Sequence, residues 1–89
     1  MKKDNEKSDW LVYILECSDK TLYTGITNNL EKRLEQHNNG QEAAKYTRAR
    51  RPVKCVYTEM QLNRSEATKR EMAIKQLKRA EKIKLIKLI

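Results

Sequence analysis

Trp10-Leu-Val-Tyr-Ile-Leu-Glu16 runs into Cys17-Ser-Asp-Lys20 and then Thr21-Leu-Tyr-Thr-Gly-Ile26, and the reading of this stretch decides the fold. The first segment is too short for a helix of ordinary length and is rich in β-branched and aromatic residues, so it reads as a strand. Its nearly unbroken apolar character predicts a central strand covered on both faces. Cys17 to Lys20 supplies turn residues, and Thr21 to Ile26 alternates as the returning strand of a hairpin. Strand side chains alternate between faces, so Tyr13 and Tyr23 share a face only if the loop has an odd number of residues. With Ser18-Asp19-Lys20 as the loop, Cys17 pairs with Thr21, Tyr13 faces Gly25, and Tyr23 lies one diagonal step away. A glycine inside a strand weakens it and marks close approach by a ligand or another backbone.

Working outward, Asn28-Asn-Leu-Glu31 has the form of a capping box and Asn38-Asn39-Gly40 supplies a stop, which predicts a helix from Asn29 to about Asn38. Leu30 and Leu34 are one turn apart and form its core stripe. Arg33 and His37 flank that stripe with the same spacing, so both reach toward the open face of the hairpin.

These residues resemble the GIY-YIG nuclease domain family. Leu11-Val12-Tyr13 stands for the first triplet, Tyr23-Thr24-Gly25 for the second, and Arg33 follows on the next helix. Glu71 sits where the family places its metal-binding glutamate. The first triplet lacks its Gly and the second its central Ile, both replaced by residues that suit a strand. The resemblance spans roughly residues 10–80 and is closest to small stand-alone bacterial members catalogued as an uncharacterised protein family.

The 89 residues allow one domain with a modest core, assigned to 10–89, behind a disordered polar tail at 1–9. A formal charge of +8 with 36% charged residues favours a polyanionic partner, most simply nucleic acid, against the plainer reading of a surface kept soluble. There is no signal-peptide h-region and no transmembrane-length apolar stretch, which predicts a cytoplasmic protein without a membrane partner. Cys17 and Cys55 lack paired metal-site spacing and read as reduced, partly buried fillers.

From Gly40 to Arg51 the chain is a long polar connection. Lys45, Arg48 and Arg50 are placed to neutralise phosphates, and Tyr46 either stacks on an exposed base or ribose or simply pins the loop to the domain. Val53 to Thr58 alternates as a third strand, with Pro52 ahead of it where a missing N–H is tolerated. Ser65 is expected to cap a helix from Glu66 to about Lys78, with Ala67, Ile74 and Leu77 inward. Glu66 lies in its first turn and suits the helix dipole, whereas Glu71 falls on the inward stripe, where a carboxylate must be paired or bind a cation. An ion pair with Lys75 is the alternative for Glu71, and Lys75 is also a candidate phosphate ligand. Arg79 to Ile89 carries Ile83, Ile86 and Ile89 at helical spacing and reads as a last helix packed on the sheet, or alternatively as a membrane-surface helix.

The fold expected is therefore α+β, a small three-stranded antiparallel sheet flanked by helices in the order β-β-α-β-α-α. Tyr13, Tyr23, Arg33, His37 and Glu71 are expected to converge on one face, beside Gly25. A single carboxylate such as Glu71 holds one Mg²⁺ or Mn²⁺ only with waters and substrate phosphate completing the shell. Arg33 is always protonated and presents a planar fork to phosphate oxygens. The resemblance implies that one tyrosine is the general base; the residues alone do not choose between Tyr13 and Tyr23. His37 has a reference pKa near neutrality and takes an auxiliary part, relaying a proton or orienting a tyrosine, unless it is only a helix cap. The function expected is a metal-dependent endonuclease cutting DNA by structure more than by sequence, in repair or recombination. A binding module of the same fold without chemistry is the alternative, and a protein-interaction domain is a third reading. The chain has no room for a separate DNA-recognition domain, so affinity must come from the basic face, a protein partner or oligomerisation.

Overall fold

The computed structural model describes residues 9–40 and 44–88. All but the last residue of the expected tail, part of the polar connection after Gly40, and Ile89 thus lie outside the described residues. The chain forms β1 (Leu11–Glu16), β2 (Leu22–Thr27), α1 (Leu30–Asn39), α2 (Lys45–Arg48), β3 (Lys54–Met60), α3 (Arg64–Lys75) and α4 (Arg79–Ile86). The three strands make one antiparallel sheet in the order β2-β1-β3, so the most apolar strand is central, as its composition predicts. The expected architecture holds, with the one-turn helix α2 added inside the connection read as irregular.

Alternation along β1 divides the molecule into two layers. Val12 and Ile14 point to one side, where they pack with Tyr57, Ala67 and Ile74 and with the partly buried Leu77, Leu85 and Ile86 of the C-terminal helical region. Tyr13, Leu15 and Cys17 point to the other, against Leu30 and Leu34 of α1 and Val53. The hairpin register is as expected: Tyr13 pairs with Gly25, Leu15 with Tyr23, and the Cys17 N–H donates to Thr21 O at 2.9 Å across the three-residue loop. Lys20 takes the left-handed conformation at φ 72°, while Asp19 accepts from both the backbone and hydroxyl of Thr21 and pairs with Arg50.

Helix ends differ from expectation in detail. Asn29, not Asn28, caps α1 by accepting from the Lys32 N–H at 3.1 Å, because Thr27 has already turned the chain by bonding to the Asn29 backbone. Asn63 caps α3 by accepting from the Glu66 N–H at 2.9 Å, so the helix starts ahead of Ser65 and ends at Lys75. The helix then ends, and at the start of α4 the Glu81 carboxylate accepts the Lys78 N–H at 2.9 Å, while the Lys78 ammonium, a donor only, supplies no cap.

Two clamps seat the C-terminal end of α1. Asn38 exchanges both of its amide hydrogen bonds with the Val53 backbone, at 3.0 and 2.7 Å, and Arg51 donates to the terminal carbonyls of Gln36, His37 and Gly40. Gln36 O also accepts the Gly40 N–H at 2.8 Å, and a cation at a helix C-terminus suits the helix dipole. Among the described residues no helix is long and apolar enough to cross a membrane.

Ile74 is fully buried in the larger apolar layer, whereas its neighbour Met72 is mostly exposed. Ile74→Ala should therefore lower the unfolding free energy by about 2–5 kcal/mol and Met72→Ala by less than about 0.5 kcal/mol, as read from urea denaturation midpoints.

Candidate active site

The side chain that fixes the site is Tyr13, on the central strand. Because its cross-strand partner is Gly25, the phenol can lie flat across β2: a Cβ at Gly25 would stand 2.5 Å from the Tyr13 hydroxyl oxygen and 2.7 Å from Cζ. The glycine is thus required by close approach of this ring, not by a turn. Beyond it, the Tyr13 hydroxyl meets His37 Nε2 at 2.9 Å, a contact buried from solvent at both residues.

His37 stands near the end of α1, one turn beyond Arg33. Its ring makes edge contacts with both tyrosines, with centroids 5.9 Å from Tyr13 and 5.4 Å from Tyr23. Its second nitrogen, Nδ1, lies 2.8 Å from the Thr47 hydroxyl. Burial pulls the imidazole down to about 4, and the nearby Arg33 and Arg51 cations act in the same direction. Burial likewise pushes the Tyr13 phenol up to about 12, opposed by a hydrogen bond and the charge of Arg33 and reinforced by Tyr23 and Glu71. At neutral pH the resting pair is therefore a neutral phenol and a neutral imidazole.

Arg33 is oriented by Gln36, which accepts from its Nη1 at 3.0 Å. Glu71 belongs to α3, which packs on the Val12 and Ile14 side of the sheet, and its negative charge adds to the effects that push the Tyr13 phenol up. That helix lies against both β2 and β1. The Glu71 side chain is 18% exposed and forms an ion pair with Lys75 at 3.3 Å, the alternative partner that its spacing suggests.

Among the described residues no three His, Cys, Asp or Glu side chains gather as a metal-binding group. The hard oxygen of one partly exposed carboxylate is nevertheless suited to a cation that keeps several waters and binds through substrate phosphate. Tyr46 stacks on Tyr23 with centroids 6.0 Å apart and an interplanar angle of 24°, and the Arg50 guanidinium lies 3.9 Å from the Tyr46 ring centre. Lys45 and Arg48 are exposed on the same short helix, α2.

Thr47 and Gln36 are site neighbours that sequence reasoning does not single out. Gln36 carries a usable signal, its spacing of three from Arg33 on a predicted helix. Thr47 carries none, because its partner is ten residues away across a connection without periodicity.

The three-stranded sheet, the two tyrosines about Gly25 and the arginine on the following helix define a nuclease-type domain, and residues 9–84 match the family model of the GIY-YIG catalytic domain. The chain belongs to the GIY-YIG family, a nuclease family whose members act on nucleic acid and typically use a divalent metal. It is 63% identical over 76 residues to a UPF0213 protein of Syntrophus aciditrophicus, covering 85% of this chain and 87% of the relative. A UPF0213 protein of Clostridium perfringens is 60% identical over 75 residues, covering 84% and 80% respectively. The solution NMR structure of a UPF0213 protein from Bacillus halodurans superposes with a TM-score of 0.57 at 40% identity, covering 89% of this chain and 83% of that one.

Two outcomes follow from the Tyr13–His37 contact. Gly25→Ala forces the phenol to move and should cost about 1–3 kcal/mol of stability, with Tyr13 ring resonances displaced in NMR spectra. The unfolded chain binds the His37 proton more tightly than the folded one, so stability is full above the ordinary imidazole range and falls as pH drops through it. Between about pH 7 and pH 5 this should remove about 2 kcal/mol, and His37→Gln should abolish that component of the slope in urea denaturation.

Proposed function

We propose that this protein is a metal-dependent endonuclease that hydrolyses phosphodiester bonds in DNA, choosing substrates by structure more than by sequence. The observation that carries this reading is the buried hydrogen bond between Tyr13 and His37, set beside Arg33 and Glu71. Two phenols on a small sheet are ordinarily core residues, but a core has no use for a desolvated imidazole whose acceptor is aimed at one of them.

Tyr13 would act as base, a reading supported by its hydrogen bond to His37, whereas Tyr23 meets His37 through ring contact alone among the interactions described. A free phenolate is unfavourable with the group held near 12. The cheaper route is a relay in which Tyr13 takes a proton from the attacking water while passing its own to His37 Nε2. A bound phosphodiester brings negative charge beside His37 and so stabilises the imidazolium that results. Arg33, pinned by Gln36, would hold the phosphate oxygens as charge grows on them.

Glu71 would hold the divalent ion, Mg²⁺ or Mn²⁺, in exchange for its present ion pair with Lys75, and Lys75 would then be released toward phosphate. Such an ion supplies Lewis-acid stabilisation of the scissile phosphate and of the leaving oxygen. Lys45, Arg48 and Arg50 extend the cationic surface beside the site. Tyr46, already in contact with Tyr23 and Arg50, would offer its ring edge and hydroxyl to the substrate. The expected setting is DNA repair or recombination, with a protein partner or a second copy adding affinity.

A nicking assay on supercoiled, single-stranded and branched DNA with Mg²⁺ or Mn²⁺ tests this. Arg33→Ala, Glu71→Gln and Tyr13→Phe should each lower the cleavage rate by about 10²-fold or more while the proteins remain folded, and chelation should abolish it. A parent protein that binds DNA in a salt-sensitive way yet cuts none of these substrates would instead be a binding module.

A further inference from the structure

We infer that Thr47 is a positioning residue that holds His37 in the Nδ1–H tautomer, so that the Nε2 lone pair faces the Tyr13 hydroxyl proton. The inference rests on the relay proposed above for its catalytic meaning, though its geometry stands by itself.

The assignment follows from counting protons along a chain of hydrogen bonds. The Thr47 hydroxyl lies 3.0 Å from the Ala44 carbonyl and 2.8 Å from His37 Nδ1. A carbonyl oxygen only accepts, so the single Thr47 proton goes to Ala44, and toward His37 the hydroxyl can only accept. Nδ1 must then carry the imidazole proton. With the ring neutral, Nε2 is bare and the Tyr13 hydroxyl at 2.9 Å must donate to it.

Reversing the chain would set the lone pairs of Thr47 and Ala44 against each other in a place without solvent, since Thr47 and His37 are both fully buried. The short helix α2 thereby acquires a function. The Ala44 carbonyl that fixes Thr47 also accepts the Arg48 N–H at 3.0 Å, so the turn that forms α2 is the turn that orients the hydroxyl. Thr47 touches no reacting atom in this scheme; it decides which imidazole nitrogen can take a proton.

His37 is the only histidine in the sequence, so an untagged, ¹⁵N-labelled full-length chain gives a single set of imidazole signals in a two-bond ¹H–¹⁵N spectrum. At neutral pH the parent should show a protonated Nδ1 and an unprotonated Nε2. Thr47→Ser should preserve that pattern, whereas the isosteric Thr47→Val should shift the population toward Nε2–H. In the nicking assay Thr47→Val should lower kcat by about tenfold or more with KM unchanged, and Thr47→Ser should restore it to within about threefold of the parent. A parent spectrum showing Nε2–H overturns the assignment even if no variant folds, and an unshifted tautomer in folded Thr47→Val overturns the role of Thr47. If no substrate is cut but the parent and variant spectra behave as expected, the tautomer assignment stands and only the nuclease reading fails.

Discussion

The hydrogen bond between the Tyr13 phenol and His37 Nε2 is buried at both residues, and much of the chain is arranged so that it can form. Buried polar groups with no solvent to fall back on must satisfy one another, and breaking such a pair leaves both desolvated. The bond needs Gly25 opposite Tyr13, which fixes the hairpin register. It needs the end of α1 held in place, which Asn38 and Arg51 do by bonding to and from the backbone. It needs a partner for the far nitrogen, which α2 supplies.

The two faces of the sheet are held together in different ways. On one face Val12, Ile14, Ala67 and Ile74 form an apolar cluster joined by side chains from the C-terminal helical region. On the other, α1 contributes only Leu30 and Leu34 to the apolar packing and spends its remaining inward positions on Arg33 and His37. That face is weaker in hydrophobic terms and is tied down by directional hydrogen bonds instead.

The sheet was legible because strand periodicity of two requires an odd loop to put both tyrosines on a face, and Ser18-Asp19-Lys20 supplies turn residues for one. The pairing of Tyr13 with Gly25 follows once that loop is taken. The helix caps were less so, since Asn28 and Asn29, or Asn63 and Ser65, are adjacent or near-adjacent candidates of equal chemical merit, and only the path of the preceding chain selects between them. The face of α3 that carries Glu71 is plain from its apolar stripe, but a helical pattern does not say on which side of a sheet the helix packs. Thr47 was invisible for a further reason. A single turn of helix has no periodicity to detect, and the contact that matters joins it to a residue in a different element.

The pairing of consecutive β1 residues with opposite layers makes Leu11–Glu16 behave like a reading frame. Loss or gain of one residue within it is a phase error: Tyr13 would be thrown into the apolar cluster and a valine or isoleucine would be left facing an imidazole. Substitutions along this strand are graded in their effects, but changes in its length are not, so relatives of this domain should vary in the identity of these six residues far more readily than in their number.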